Sequence, residues 1–325
     1  MTGIGALLVR YALLGAAVVV LNFALPRLLP GDPLAATADN GLGGAVPALT
    51  TQQQAQLRAT YHLDQPVPRQ FASYVSDLLH GDLGWSISRS APVAQLIGER
   101  LPWTLGLVVT AVLIAAVAGA ALGLIAAWRG GRWDRIVVGV CSALAALPEF
   151  LLGMLLLVAL GGGLRWFPLQ GGQTPFAPAD QPWPAVVGDR LAHLALPAAT
   201  LVVANLAAFV LLSRGAVRGV MSEPYLATAR AKGLGEWPVA LRHATPNALL
   251  PVLTMFGMRL GQVLGGAIVV ERVFAVPGLG LFAFQAIQAR DYPVLQAVFL
   301  LASLGVLLAN FVLELSYRGL ETRAT

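Results

Sequence analysis

The chain of 325 residues is 57% hydrophobic and 11% charged, against roughly 45–50% and 25% in soluble domains, which excludes a water-soluble globule. Its formal net charge of +5 comes without a basic run or an aromatic-interleaved patch, so nucleic-acid binding is excluded as well. The single cysteine, Cys141, allows no disulfide framework.

A helix rising 1.5 Å per residue needs about 20 apolar residues to cross a hydrocarbon core about 30 Å thick. Six stretches meet that length: Leu7 to Leu25, Leu105 to Trp128, Ile136 to Leu160, Leu194 to Leu212, Leu250 to Val270 and Val294 to Leu315. The chain is therefore expected to be an all-α polytopic membrane protein. In the first stretch Arg10 precedes a 15-residue apolar run, with Ala36-Thr37-Ala38 beyond, which has some features of a cleaved signal, but the run is at the upper limit for one and its removal would leave an odd span count. It is expected to remain as the first span, so that residues 1–25 form one segment of the chain.

Residues 26–104 make an outer loop too long for a mere connector. Thr51 with Gln54 reads as a capping box, and Pro68 can open a second helix that ends before Gly81. In that helix Phe71, Tyr74, Val75, Leu78 and Leu79 recur at helical spacing, giving one apolar face to bury. A small helical subdomain outside the membrane is expected, either packed on its own spans or facing an external partner, with Trp85 as a candidate exposed anchor.

The remaining residues, 105–325, hold five spans and the inner loop 213–249. In that loop Ser222 suits an N-cap, Pro224 a first turn, and Gly233 the left-handed position beyond a helix end. A short helix from Pro224 to Lys232 follows, with small residues alternating with Arg230 and Lys232. In the fifth span Gly257, Gly261 and Gly265 form a tandem stripe that admits another helix closely. Arg259 and Gln262 fall about 200° and 140° from Gly257 around that helix, on a different face. Charges at membrane depth usually face a bundle interior or a wet cavity. Arg259, Gln262 and Glu149 are therefore candidates for the wall of a translocation path; Arg259 and Glu149, near the middle of their spans, are close enough in depth to form an ion pair.

Charge also sets orientation. With six spans the termini share a side, and the loops on that side hold ten Lys or Arg in 60 residues against nine in 135 opposite. The denser side is cytoplasmic, so both termini are expected inside. The chain has one lysine, Lys232, and no Gly-Lys-Ser/Thr, so it lacks a phosphate-binding loop for ATP; it also has no HExxH or GxSxG. No catalytic residue, metal ligand or cofactor of its own is expected.

Several strings in order resemble one family. Leu29-Pro30-Gly31-Asp32-Pro33 follows the first span, then Gly81-Asp82-Leu83-Gly84-Trp85-Ser86, Pro92-Val93 and Glu99-Arg100-Leu101-Pro102. Later come Thr228 to Leu234, Arg242-His243, Asn247 to Pro251, Glu271 to Phe274, Pro277-Gly278-Leu279-Gly280 and Arg290-Asp291-Tyr292-Pro293. Together they resemble the inner-membrane permease subunits of dipeptide, oligopeptide and nickel ABC importers. The resemblance implies a type I ABC importer permease fold in the bacterial cytoplasmic membrane. It also implies a homologous second permease, two ATP-binding-cassette subunits that hold ATP and Mg, and an extracytoplasmic binding protein that delivers peptides, peptide-like solutes or nickel chelates. It places ATPase coupling on Tyr225, Ala229, Arg230, Ala231, Lys232, Gly233 and Leu234. Ala227-Thr228-Ala229 departs from the Glu-Ala-Ala of the wider importer pattern, His62 stands where a helix-ending glycine is usual, and Tyr317, Glu321, Thr322 and Arg323 diverge from the common tail. A stand-alone secondary transporter or channel is the competing class; it would show inverted repeats and an intramembrane proton relay, and neither is evident.

Overall fold

The computed structural model describes residues 4–28, 65–178, 180–261 and 267–321. The capping box at Thr51, His62, Leu29 to Pro33, Gln262, Gly265, Thr322 and Arg323 lie outside the described residues. The helices are α1 (Ile4–Leu28), α2 (Val67–Leu79), α3 (Val93–Arg129), α4 (Gly131–Ala145), α5 (Glu149–Leu156), α6 (Trp183–Met221), α7 (Pro224–Ala231), α8 (Leu250–Gly261), α9 (Ile268–Val273), α10 (Leu279–Gln288) and α11 (Tyr292–Glu321). The short strands β1 (Trp85–Ser86) and β2 (Ala91–Pro92) pair antiparallel, Trp85 opposite Pro92.

Among the described residues four helices, in α1, α3, α6 and α11, are long and apolar enough to cross a bilayer, and a bent pair would make a fifth. Their outward side chains are apolar, as at Leu13 and Leu21 of α1 or Leu113 and Val117 of α3, which suits a hydrocarbon solvent. Helices α3 and α6, of 37 and 39 residues, outrun the spans expected at 105–128 and 194–212, so the adjoining loops are shorter than their apolar boundaries imply.

The third expected span, 136–160, is not one straight helix. α4 stops at Ala145, α5 begins at Glu149, and the two halves meet at 98°. Pro148 supplies no N–H and forces Leu147 out of the helical region, which breaks the run. α5 continues into a π-helical stretch, Leu157–Gly163. Glu149 therefore stands at the start of a helix rather than midway along one, and its depth does not follow from counting residues along a single axis.

The described residues group into two packing units, one from 1–102 and 278–308, the other from 103–277 and 309–325. In the first, Phe23 of α1 meets Phe71 and Tyr74 of α2 with ring centroids 5.1 and 5.6 Å apart. Asn22 of α1 donates to Tyr74 Oη at 3.1 Å and to the Gln296 carbonyl at 2.9 Å. The apolar face of α2 thus packs on the chain's own helix, as its spacing allows. The hairpin is held by Asp291: its Oδ2 accepts from Ser86 Oγ at 2.6 Å, Ser88 N at 2.9 Å and Ser88 Oγ at 2.6 Å.

In the second unit α3 and α6 touch closely. A Cβ at Gly119 would fall 2.5 Å from Phe209 Cβ, and one at Gly123 2.6 Å from the Val210 carbonyl oxygen. Ser213 Oγ donates to the Ala120 carbonyl at 3.0 Å across the same seam. A pair of glycines four residues apart removes the side chains that would separate the two backbones, and van der Waals packing follows. The core around this seam joins Leu107, Ala111, Ala115, Leu196, Phe209 and Phe274.

Candidate coupling segment and translocation residues

The candidate coupling segment begins where α6 ends. Ser222 caps the C-terminus of α6, its hydroxyl donating to the Gly219 carbonyl at 2.8 Å, and Glu223 takes the N-cap position of α7 without a side-chain hydrogen bond. This corrects the expected cap at Ser222, which closes one helix instead of opening the next. α7 covers Pro224–Ala231 and Gly233 follows with φ of +81°, a left-handed turn that a residue without Cβ adopts freely.

α7 has two faces. Leu226 and Ala229 are buried with Val239 and Ala244, against Trp128 of α3 and Val220 of α6. Ala229 therefore does not offer its methyl to a partner surface, contrary to the expectation; it sets how closely α7 approaches its own chain. The outward face carries Ala227, Thr228, Ala231, Lys232 and Leu234. Tyr225 closes the other end: its hydroxyl donates to the His243 carbonyl at 3.3 Å and accepts from Asn247 Nδ2 at 2.9 Å. Arg230 donates to Glu236 at 3.1 Å, with its guanidinium 5.8 Å from the Trp128 ring, an exposed pair whose contribution is under about 1 kcal/mol. Trp237 and Leu241, in the chain after α7, are also exposed.

The expected path residues are placed less tightly. Arg259 on α8 and Glu149 at the start of α5 are each half-buried. Among the described residues neither enters an ion pair, so the pairing inferred from their depths is not formed. Gly257 does admit a neighbour, since a Cβ there would lie 2.8 Å from Leu313 Cδ1 on α11. An apolar groove of about 620 Å³ is lined by Leu157, Val158, Gly162, Gly163, Leu169 and Gln170. A second, of about 610 Å³, is lined by Leu212, Leu250, Pro251, Thr254, Met255 and Met258; neither includes Glu149 or Arg259.

Three polar sites escaped the reading by spans. Glu271, fully buried, accepts from Thr104 Oγ1 at 2.6 Å; it stands one residue past an expected span and so counted as a loop charge. Asp291, 1% exposed, joins the 81–86 and 290–293 strings, which are far apart in sequence. Asp134, 4% exposed, accepts from Arg214 and Arg218. Its position in the first turn of α4, with two cations four residues apart on α6, is a signal available only once the two helices are known to be neighbours. Trp85 itself is 46% exposed on β1.

Comparison with known proteins bears on the whole of this arrangement. Residues 119–325 match the family described as binding-protein-dependent transport system inner membrane component. A probable peptide ABC transporter permease protein, y4tP, of Sinorhizobium fredii is 36% identical over 309 residues, covering 95% of this chain and 94% of that protein. The glutathione transport system permease protein GsiC of Escherichia coli K12 is 39% identical over 306 residues, covering 94% and 92%. Its counterpart in Pectobacterium atrosepticum is 38% identical over 305 residues, with 94% and 92% covered. The chain belongs to the binding-protein-dependent transport system inner membrane component family, the permease subunits of ABC importers.

Proposed function

We propose that this permease pairs with a homologous subunit to move peptides or peptide-like solutes inward across the cytoplasmic membrane, driven by two ATPase subunits that seat on α7. The substrate class rests on the peptide and glutathione permeases to which the chain is similar over nearly its full length; nickel chelates remain a second class to assay. The full arrangement has six spans, with α8 and α9 together forming the fifth, and both termini cytoplasmic. An extracytoplasmic binding protein delivers the solute to the outer side, where the hairpin presents Trp85. ATP and Mg reside on the ATPases, since this chain has no phosphate-binding loop.

One observation carries the coupling role. α7 is fixed to its own chain through Leu226 and Ala229 and leaves Ala227, Thr228, Ala231 and Leu234 outward, a shallow surface on which a partner groove can close with little intervening side chain. A tryptophan at Ala231 overfills such a contact without touching the buried face. The complex, purified with its second permease, should bring two ATPase chains, and Ala231→Trp should release them while leaving the permease pair intact. Full ATP-dependent uptake of labelled dipeptide and glutathione by the Ala231→Trp complex would refute the seat.

A further inference from the structure

Asp134 occupies a position that membrane insertion alone does not explain. It is a carboxylate of 4% exposure in the first turn of α4, and two arginines from α6 converge on it. Arg214 donates through Nε to Oδ1 and through Nη2 to Oδ2, the latter at 2.9 Å, while Arg218 Nη2 donates to Oδ2 at 2.6 Å. A bidentate guanidinium–carboxylate pair is directional, unlike apolar contact, because its planar donors fit the two oxygens in one orientation. The rest of the α4–α6 contact is small and apolar: Cys141, Ala207 and Val210, flanked by Val137, Leu144, Leu206 and Leu211. Apolar contact has no donor–acceptor direction of its own, so the polar clamp is the directional element of this helix pair.

The clamp lies between two mechanical features. On one side, Arg218 is three residues before Met221, where α6 ends, and the turn into α7 is closed by Glu223 N donating to the Val220 carbonyl at 2.9 Å and Leu226 N to the Glu223 carbonyl at 3.1 Å. α7 cannot be displaced far without carrying the end of α6. On the other side, α4 runs from the clamp to the 98° break at Ala146–Pro148, where its motion can be passed to α5 as a change of angle. We propose that Asp134 is a positioning residue for coupling: with Arg214 and Arg218 it links α4 to the helix end that holds α7, so that displacement of α7 by the ATPases moves the inner half of the broken third span. The idea rests on the coupling role of α7 stated above.

The test uses the whole transporter, both permeases with ATPases and binding protein, in proteoliposomes, and reads solute imported per ATP hydrolysed. Asp134→Asn removes the charge and keeps the shape. It should lower that ratio by about tenfold, the size of an ordinary coupling between sites, while ATPase subunits stay bound and hydrolysis persists. Asp134→Glu, which can still pair with both arginines, should restore at least half of the loss. Arg218→Gln, which removes the more exposed partner, should give an intermediate ratio. An unchanged ratio in an assembled Asp134→Asn or Arg218→Gln complex overturns the proposal. So does an equal fall in hydrolysis and import, or failure of both variants to assemble, since each assigns the cluster to bracing alone. Wild-type complex that binds no ATPase would instead sink the coupling role of α7, and the clamp's role with it.

Discussion

The hairpin at 85–92 and the segment at 224–248 are both short pieces of chain held in place outside long helices, yet they are held by opposite physics. The hairpin depends on one carboxylate: Asp291 collects three hydrogen bonds from Ser86 and Ser88, and its Oδ1 is buried without a partner among the described residues. The segment at 224–248 depends on apolar packing spread over Leu226, Ala229, Val239 and Ala244 against Trp128 and Val220. A carboxylate latch is directional and close to all-or-none, because breaking it strands buried donors. An apolar contact yields gradually, as its energy is the sum of many small terms.

The largest expected effect breaks the latch. Asp291→Ala removes three hydrogen bonds to a charged group and should destabilise the hairpin by about 3 kcal/mol, even allowing for relief of the unpaired oxygen. Protease cleavage near Arg89 should accelerate strongly while α7 remains protected; an unchanged cleavage rate would mean that the two strands hold themselves. Next comes Ala229→Trp, which overpacks the buried face of α7 by about 1–3 kcal/mol. Thermal unfolding of the purified permease pair should fall with this variant but not with Ala231→Trp, and equal melting of the two would erase the distinction between the faces. Tyr225→Phe deletes two exposed hydrogen bonds and should cost at most about 1 kcal/mol; faster hydrogen exchange at 243–248 is the readout, and no change there would show that packing alone fixes the segment. Smallest for stability is Trp85→Ala, within about 0.5 kcal/mol for an exposed side chain. Its effect should appear in affinity for the binding protein instead, so a drop in melting temperature with unaltered affinity would reassign Trp85 to the hairpin's own support.

Helix α7 was legible because its signals are local: Pro224 starts it, Gly233 follows its end at positive φ, and both constraints act within one turn of chain. Helix α2 was legible for the same reason, since its apolar residues recur at helical spacing and it closes at Leu79, before Gly81. The break between α4 and α5 was also written locally, in Leu147-Pro148, but hydropathy averages over a window and passes through a proline without a mark. Gly119 and Gly123 announce a close helix contact as plainly as the stripe at Gly257 does; what they do not announce is the partner, which proved to be Phe209 and Val210.

Composition and hydropathy by themselves determined that the chain lives in a bilayer, because transfer of apolar side chains depends on residue type and length and hardly on neighbours. The ordered strings determined the family resemblance. What only the tertiary structure decided is which polar groups are partners and which face of each helix is free. Asp134 meets Arg214 and Arg218 across 80 and 84 positions, and Asp291 meets Ser86 across 205. Such pairings depend on which helices become neighbours and in what rotation, a choice made by the summed packing of whole surfaces. The same packing turned Ala229 inward and left Ala231 outside, though both are small residues two positions apart in one short helix.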